Sequence, residues 1–210
     1  MNDENPNEFE EIYSDYDLHL KDKTTVVKAN MSKNYLKPKS RVLILGCGPC
    51  FEGKVFRNAG HYVVGVDVSD RFVDDHKDNF DEFIKADVSQ KFSFDPESFD
   101  AVIAFELIEH LGFVNNFIAE CNRVLKKNGV LILSTPSQSY WKTRLNLLFG
   151  NDILSDIHPR TFTPRSLAGK LEKLFVVKKM FGIGAFGFAL SVRFPLISLC
   201  GDFIAVCEKR

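Results

Sequence analysis

From Arg41 to Ser134 short apolar runs alternate with stretches of helical texture, and this alternation limits the folds open to the chain. Val42-Leu43-Ile44-Leu45, Tyr62 to Val66, Phe83 to Ala86, Phe99 to Phe105 and Val130 to Ser134 read as buried strands. Between them lie a helix from about Phe51 to Asn58, a second that Ser69 is placed to N-cap, and a third from Asn115 to Lys127 closed by Asn128-Gly129. Strands that alternate with helices cannot pair through tight hairpins. They call for a parallel sheet covered by helices on both faces.

On either side the rhythm loosens. The first forty residues are polar and acidic, then mixed, with Phe9, Ile12, Tyr13 and Tyr16 at helical spacing, and read as a lead with one or two helices ending at Pro38. Beyond Pro136, Tyr140 to Phe149 looks helical, Asn151 to Thr161 looks like loop, and Thr163-Pro164 starts another helix. Phe175 to Phe181 and Phe203 to Cys207 read as closing strands around a stretch rich in Gly and Phe, Phe181 to Leu199. No internal repeat is visible, so the expectation is one domain overall: a helical lead over 1–40 and the α/β body over 41–210.

Lys plus Arg at 27 nearly balances Asp plus Glu at 28, so the chain lacks the basic surplus of a protein that grips nucleic-acid phosphates, and nucleic acid is not the favoured partner. The odd count of five Cys and the acidic, polar opening Met1-Asn2-Asp3-Glu4-Asn5 point to reduced thiols and a cytoplasmic protein. No run of 18 uncharged apolar residues occurs, so no membrane span is expected.

Chemistry gathers where strands end. Gly46-Cys47-Gly48-Pro49-Cys50 joins the first strand to its helix, a turn in which glycines let backbone approach a ligand and the helix start offers N–H donors. Asp67 ends the second strand about 20 residues on, the place of a ribose-binding acid in dinucleotide folds. Cys47-Gly48-Pro49-Cys50 also spells the redox motif of thioredoxins, which leaves redox chemistry as a competing reading beside two small apolar turn residues. Asp87 follows the third strand, and Glu106-Leu107-Ile108-Glu109-His110-Leu111 follows the fourth. Open parallel sheets bind ligands along this edge.

Together, Gly46-Cys47-Gly48-Pro49, Asp67, Asp87, Phe99-Asp100 and Glu106 to Leu111 resemble the class I S-adenosylmethionine-dependent methyltransferases. Arg123 to Val130 resembles their helix, turn and fifth strand, and His158-Pro159-Arg160-Thr161-Phe162-Thr163-Pro164 is similar to a segment of their small-molecule, ubiquinone-pathway-like branch. The resemblance covers roughly Arg41 to Phe175. It implies a Rossmann-like, doubly wound, seven-stranded, mainly parallel sheet with a closing antiparallel strand, and S-adenosyl-L-methionine as cofactor. It further implies that Gly46, Cys47 and Gly48 cradle the methionine end and ribose and that Asp67 accepts the ribose hydroxyls. Val68 would face the adenine, Asp87 and the Val88 amide would read its edge, and the Phe105 carbonyl would help hold the ammonium. Two positions depart from the family pattern: Cys50 stands where a third Gly is usual, and no acid stands near Ile44.

The implied reaction moves a methyl group to a small-molecule, sugar or lipid-like acceptor. His110 is the candidate base for a hydroxyl acceptor, because an imidazole titrates near neutrality. His158 is a candidate for the acceptor pocket. Phe186 and Phe188 are candidates for a greasy wall or lid over a hydrophobic or lipid-linked acceptor, set against plain core packing or a dimer surface. His19, His61 and His76 show no partner pattern and are expected on the surface. Asp74, Asp75 and Asp78 read as a solvated helix face, so no metal is expected. Two rival functions stay open at this point: a nicotinamide-dependent oxidoreductase, which would want Gly or Ala where Phe51 stands, and a non-catalytic binder of the same cofactor.

Overall fold

The computed structural model describes residues 18–71, 73–140, 160–183, 189–190 and 200–210. Helix α1 (Leu18–Ser32) leads through a short 3-10 turn into β1 (Arg41–Leu45), then α2 (Phe51–Asn58), β2 (Tyr62–Asp67), the one-turn α3 (Val73–His76) and β3 (Glu82–Lys85). There follow β4 (Phe99–Phe105), α4 (Val114–Val124), β5 (Leu125–Pro136), α5 (Pro164–Leu171), β6 (Phe175–Ile183), the two-residue β7 (Ala189–Leu190) and β8 (Asp202–Lys209). One sheet takes the order β3-β2-β1-β4-β5-β8-β6-β7. Strands β1 to β5 run parallel, β8 is antiparallel to both β5 and β6, and β7 pairs antiparallel with β6. The mainly parallel sheet and antiparallel closure expected from the sequence are both present, with β7 as a short addition at one edge.

Alternation along β1 explains the two layers. Leu43 and Leu45 pack with Val114, Phe117, Ile118 and Cys121 of α4 and with Leu167 and Leu171 of α5. Val42 and Ile44 point the other way, into a layer with Ala29 of α1 and Phe56 of α2. Successive strand residues face opposite sides, so a strand apolar at every position must be covered twice. Helix α5 is started by a capping box between Thr163 and Ser166, with Pro164 in its first turn.

Three local expectations need correction. The helix read as Asn115 to Lys127 ends at Val124, because Leu125 turns extended and pairs with Phe99 in the sheet. Register resumes only at Ala101 with Val130, so residues 126–129 loop out, with Asn128 at φ +59°. Ser69 does not cap the next helix: α3 starts four residues later, at Val73, and the Ser69 hydroxyl accepts the Arg71 amide at 3.2 Å instead. His61 is buried rather than on the surface; its Nδ1 accepts the Ser40 amide at 3.1 Å, and burial holds its pKa below the usual imidazole value. Phe9, Ile12, Tyr13, Tyr16, the reading of Tyr140 to Phe149 beyond Tyr140, and most of the Gly- and Phe-rich stretch lie outside the described residues.

Candidate functional site

The parallel strands deliver their carboxyl ends to one edge. There Gly46 N–H and Cys47 N–H both donate to the Val66 carbonyl, at 2.9 and 3.2 Å, which fastens the glycine turn to the end of β2. Gly46 sits at φ +64°, and a Cβ there would meet Leu107 Cδ1 at 2.7 Å, so any other residue would be strained in its backbone and would displace Leu107. Gly48, at φ +48°, is different: a Cβ there meets nothing within 4 Å. Gly46 is closed by protein, whereas the space over Gly48 is open.

Asp67 ends β2 and orders this turn. Its Oδ2 accepts the Gly48 amide at 2.7 Å and its Oδ1 the Ser69 amide at 3.0 Å. A carboxylate offers about four acceptor positions, so capacity remains for the two hydroxyls of a ribose. Val68, 45% exposed, presents an apolar surface beside it. Asp87 lies just past β3, exposed, and accepts the amide and hydroxyl of Ser89 at 2.8 and 2.7 Å. Val88 is buried behind it, and Phe105 is buried at the end of β4. Gly46, Cys47, Gly48, Asp67, Val68, Asp87, Val88 and Phe105 therefore share one edge, and His110, half-buried in a 3-10 turn over Ile108–His110, follows β4 on the same side. His158, Phe186 and Phe188 lie outside the described residues.

The Cys pair is packing, not redox machinery. Cys50 takes the left-handed conformation at φ +55°, where glycine is the usual residue, and both sulfurs nestle against Gly65, whose Cβ would meet them at 3.1 and 3.6 Å. Both thiols are buried. The Cys47 thiol is pushed well above its usual range, first by its hydrogen bond with Cys50 and then by burial. At Cys50 the hydrogen bond with Cys47 pulls down, and burial with nearby Glu52 and Asp67 nets a raised value. A nucleophilic thiol needs the opposite shift.

Reading from sequence missed a cluster of buried charge. Lys28 of α1 reaches Glu106 at 2.7 Å and Asp202 at 3.1 Å. Ser134 Oγ donates to the same Glu106 oxygen at 2.6 Å, and Thr135 Oγ1 to Glu109 Oε2 at 2.9 Å. Glu109 is 1% exposed, its Oε1 has no hydrogen-bond partner, and burial with the neighbouring Glu106 pushes its pKa up to about 8. Glu52, in the first turn of α2, is pushed to about 7 by burial. Position 44, where the resembled family has an acid, holds a fully buried Ile; the buried acid near the glycine turn is Glu52 instead. Glu106 and Glu109 stood in a motif already singled out, but nothing local in the sequence marks Lys28 or Asp202.

These carboxyls give stability a definite pH dependence. A carboxyl whose folded pKa is raised stays protonated after its unfolded counterpart has ionised, so stability falls as pH climbs from about 4.5 to the folded pKa. For Glu52 and Glu109 the window closes near pH 7 and 8. Glu109→Gln is expected to flatten the decline of Tm between pH 5 and 8, read by thermal melts across that range; an unchanged slope would show that Glu109 ionises freely.

A glycine turn, a strand-end acid and an antiparallel strand beside β5 define a nucleoside-binding α/β fold of the methyltransferase type. Dinucleotide-binding sheets continue in parallel after the fifth strand; here β8 runs against β5. Comparison with known proteins agrees. Residues 43–133 match the methyltransferase-domain family. It is 28% identical over 149 residues to the mitochondrial ubiquinone biosynthesis O-methyltransferase of Mus musculus, covering 66% of this chain and 40% of that protein. Against the ubiquinone biosynthesis O-methyltransferase of Rhodopseudomonas palustris it is 30% identical over 124 residues, covering 57% and 49%. The chain thus spans less than half the length of these curated relatives. Among solved structures, a SAM-dependent methyltransferase of Thermotoga maritima superposes with TM-score 0.71 at 16% identity, over 97% of this chain and 95% of that one. The 1,6-didemethyltoxoflavin-N1-methyltransferase of Burkholderia thailandensis, solved with S-adenosylhomocysteine, superposes with TM-score 0.70 at 16% identity, over 97% and 86%.

Proposed function

We propose that this chain transfers the methyl group of S-adenosylmethionine to a hydroxyl of a small-molecule acceptor. The observation that carries the reading is the Asp67 carboxylate, 2.7 Å from the Gly48 amide beside open space. The residues present fit the cofactor: Asp67 for the ribose diol, Val68 for one adenine face, Asp87 and Val88 for its edge, and Gly46, Cys47 and Gly48 with Phe105 for the amino-acid end. When bound, the cofactor supplies an electrophilic methyl group, so the protein's task is orientation and exclusion of water.

Among this chain's own groups, His110 takes the acceptor proton on an imidazole nitrogen. Glu109, the preceding residue in the same 3-10 turn, has its carboxyl pushed up to about 8 by burial and by the neighbouring Glu106. His110→Asn is expected to lower kcat by about 100-fold while S-adenosylhomocysteine affinity holds; an unchanged kcat would remove His110 from the mechanism.

The acceptor reading is supported by the names of the relatives, which are O-methyltransferases of ubiquinone biosynthesis. A hydroxyl on a hydrophobic, lipid-linked small molecule is accordingly the proposed acceptor class, with Phe186, Phe188 and His158 as candidate contacts. No helix among the described residues is long and apolar enough to cross a membrane. All five cysteines are unpaired, which supports a reducing, cytoplasmic setting. Release of S-adenosylhomocysteine on incubation with S-adenosylmethionine and a panel of hydrophobic, hydroxyl-bearing acceptors tests the activity. Acceptor-dependent release is expected; cofactor binding without turnover on any acceptor would favour a non-catalytic binder.

A further inference from the structure

We infer that Lys28 is a positioning residue for the cofactor's amino-acid end: by clamping Glu106 to Asp202 it holds the Phe105–Glu106–Leu107 turn against Gly46. The inference rests on the methyltransferase reading above. Lys28 lies in α1, upstream of the family match over 43–133, and so makes the leading helix part of the site.

The geometry has a front and a back. The Lys28 side chain is 1% exposed, whereas Glu106 and Asp202 keep 26% and 30%. The ammonium therefore stands behind the two carboxylates and acts through them. Asp202 begins β8 opposite Pro136, at the carboxyl end of β5, so the ammonium ties together residues 28, 106 and 202 at the edge where the glycine turn sits.

Glu106 is where this matters. Its backbone sits at φ +50°, a conformation L residues rarely adopt, so the turn must be held by its surroundings. The Glu106 amide donates to the Ser134 carbonyl at 3.1 Å, and its side chain is fixed by Lys28 and by Ser134 Oγ. The next residue, Leu107, fills the space in which a Gly46 Cβ would stand. A shift of the turn is thus transmitted by contact to the glycine turn, and the Phe105 carbonyl moves with it. Burying an ammonium is a poor way to gain stability alone, since an apolar residue of similar volume does as well or better. Removing only the lysine leaves two like charges facing each other across the gap.

The test is calorimetric titration of S-adenosylhomocysteine into wild type, Lys28→Met, Lys28→Arg and the double variant Lys28→Met/Asp202→Asn, with melts run alongside. Lys28→Met is expected to bind about tenfold or more weakly, and Lys28→Arg, which keeps the charge, to return within about threefold of wild type. Should Lys28→Met fail to fold, the double variant removes one of the two facing charges and is still expected to bind about tenfold more weakly, because Glu106 has lost the lysine that holds it from behind. A lysine with a merely structural role would move Tm and leave the affinity of the folded protein alone. Wild-type affinity in either folded variant overturns the inference while the methyltransferase reading stands. Failure of the wild-type protein to bind overturns both.

Discussion

Asp67→Ala is expected to weaken S-adenosylhomocysteine binding by about 100-fold or more, through two losses at once. The first is direct: a methyl group cannot accept the ribose hydroxyls. The second is preorganisation, because Asp67 already accepts the Gly48 and Ser69 amides at 2.7 and 3.0 Å. Hydrogen bonds to a charged acceptor contribute about 1.5–3 kcal/mol each, so the glycine turn should loosen before any ligand arrives. Asp67→Asn separates the two effects. Its one carbonyl oxygen can keep one amide, but its NH₂ cannot accept, so an intermediate affinity is expected. Equal affinity of Asp67→Ala and wild type in calorimetry would mean that the crevice does not hold a nucleoside there.

Gly53→Ala is expected to destabilise the fold by about 2 kcal/mol, or about 4–8 °C in Tm, although Ala is the better helix former by about 1 kcal/mol. The reason is space. A Cβ at Gly53 would stand 2.2 Å from the Asn79 backbone carbonyl and 2.7 Å from Cys50 Sγ. Backbone cannot yield as a side chain can, and Asn79 is also committed elsewhere, donating its Nδ2 to the Pro49 carbonyl at 2.9 Å. The clash therefore pushes on the glycine turn itself. A melting curve with Tm equal to or above wild type would show that α2 can slide away from Asn79 freely.

The parts legible in the sequence are those that depend on local pattern. The strand runs from Val42, Tyr62 and Phe99 were readable because a strand buried on both faces is apolar at every position, and α2 was bounded on one side by its glycine turn. Glycine spacing and a strand-end acid likewise exposed Gly46, Gly48 and Asp67, since both signals sit within 22 residues of each other in the chain. The end of α4 was misjudged because Leu125 to Lys127 has ordinary helical texture; the strand pairing of Leu125 with Phe99 outweighs it. His61 was misjudged because its partners, Ser40 and Phe56, have no pattern that announces them. Lys28 was invisible for the same reason at longer range. Its partners lie 78 and 174 positions away, and a lysine in a polar helix ordinarily faces water. Cys47 and Cys50 carried a motif with two meanings, and only their packing against Gly65 decided between them.

The central claim is that the edge around Asp67 and Gly48 takes S-adenosylmethionine and not a nicotinamide dinucleotide. Parallel titrations of the wild-type protein with S-adenosylhomocysteine and with NADH measure this most directly. One saturable site for the first and no heat from the second is the predicted result. Tight NADH binding with no response to S-adenosylhomocysteine would contradict the account.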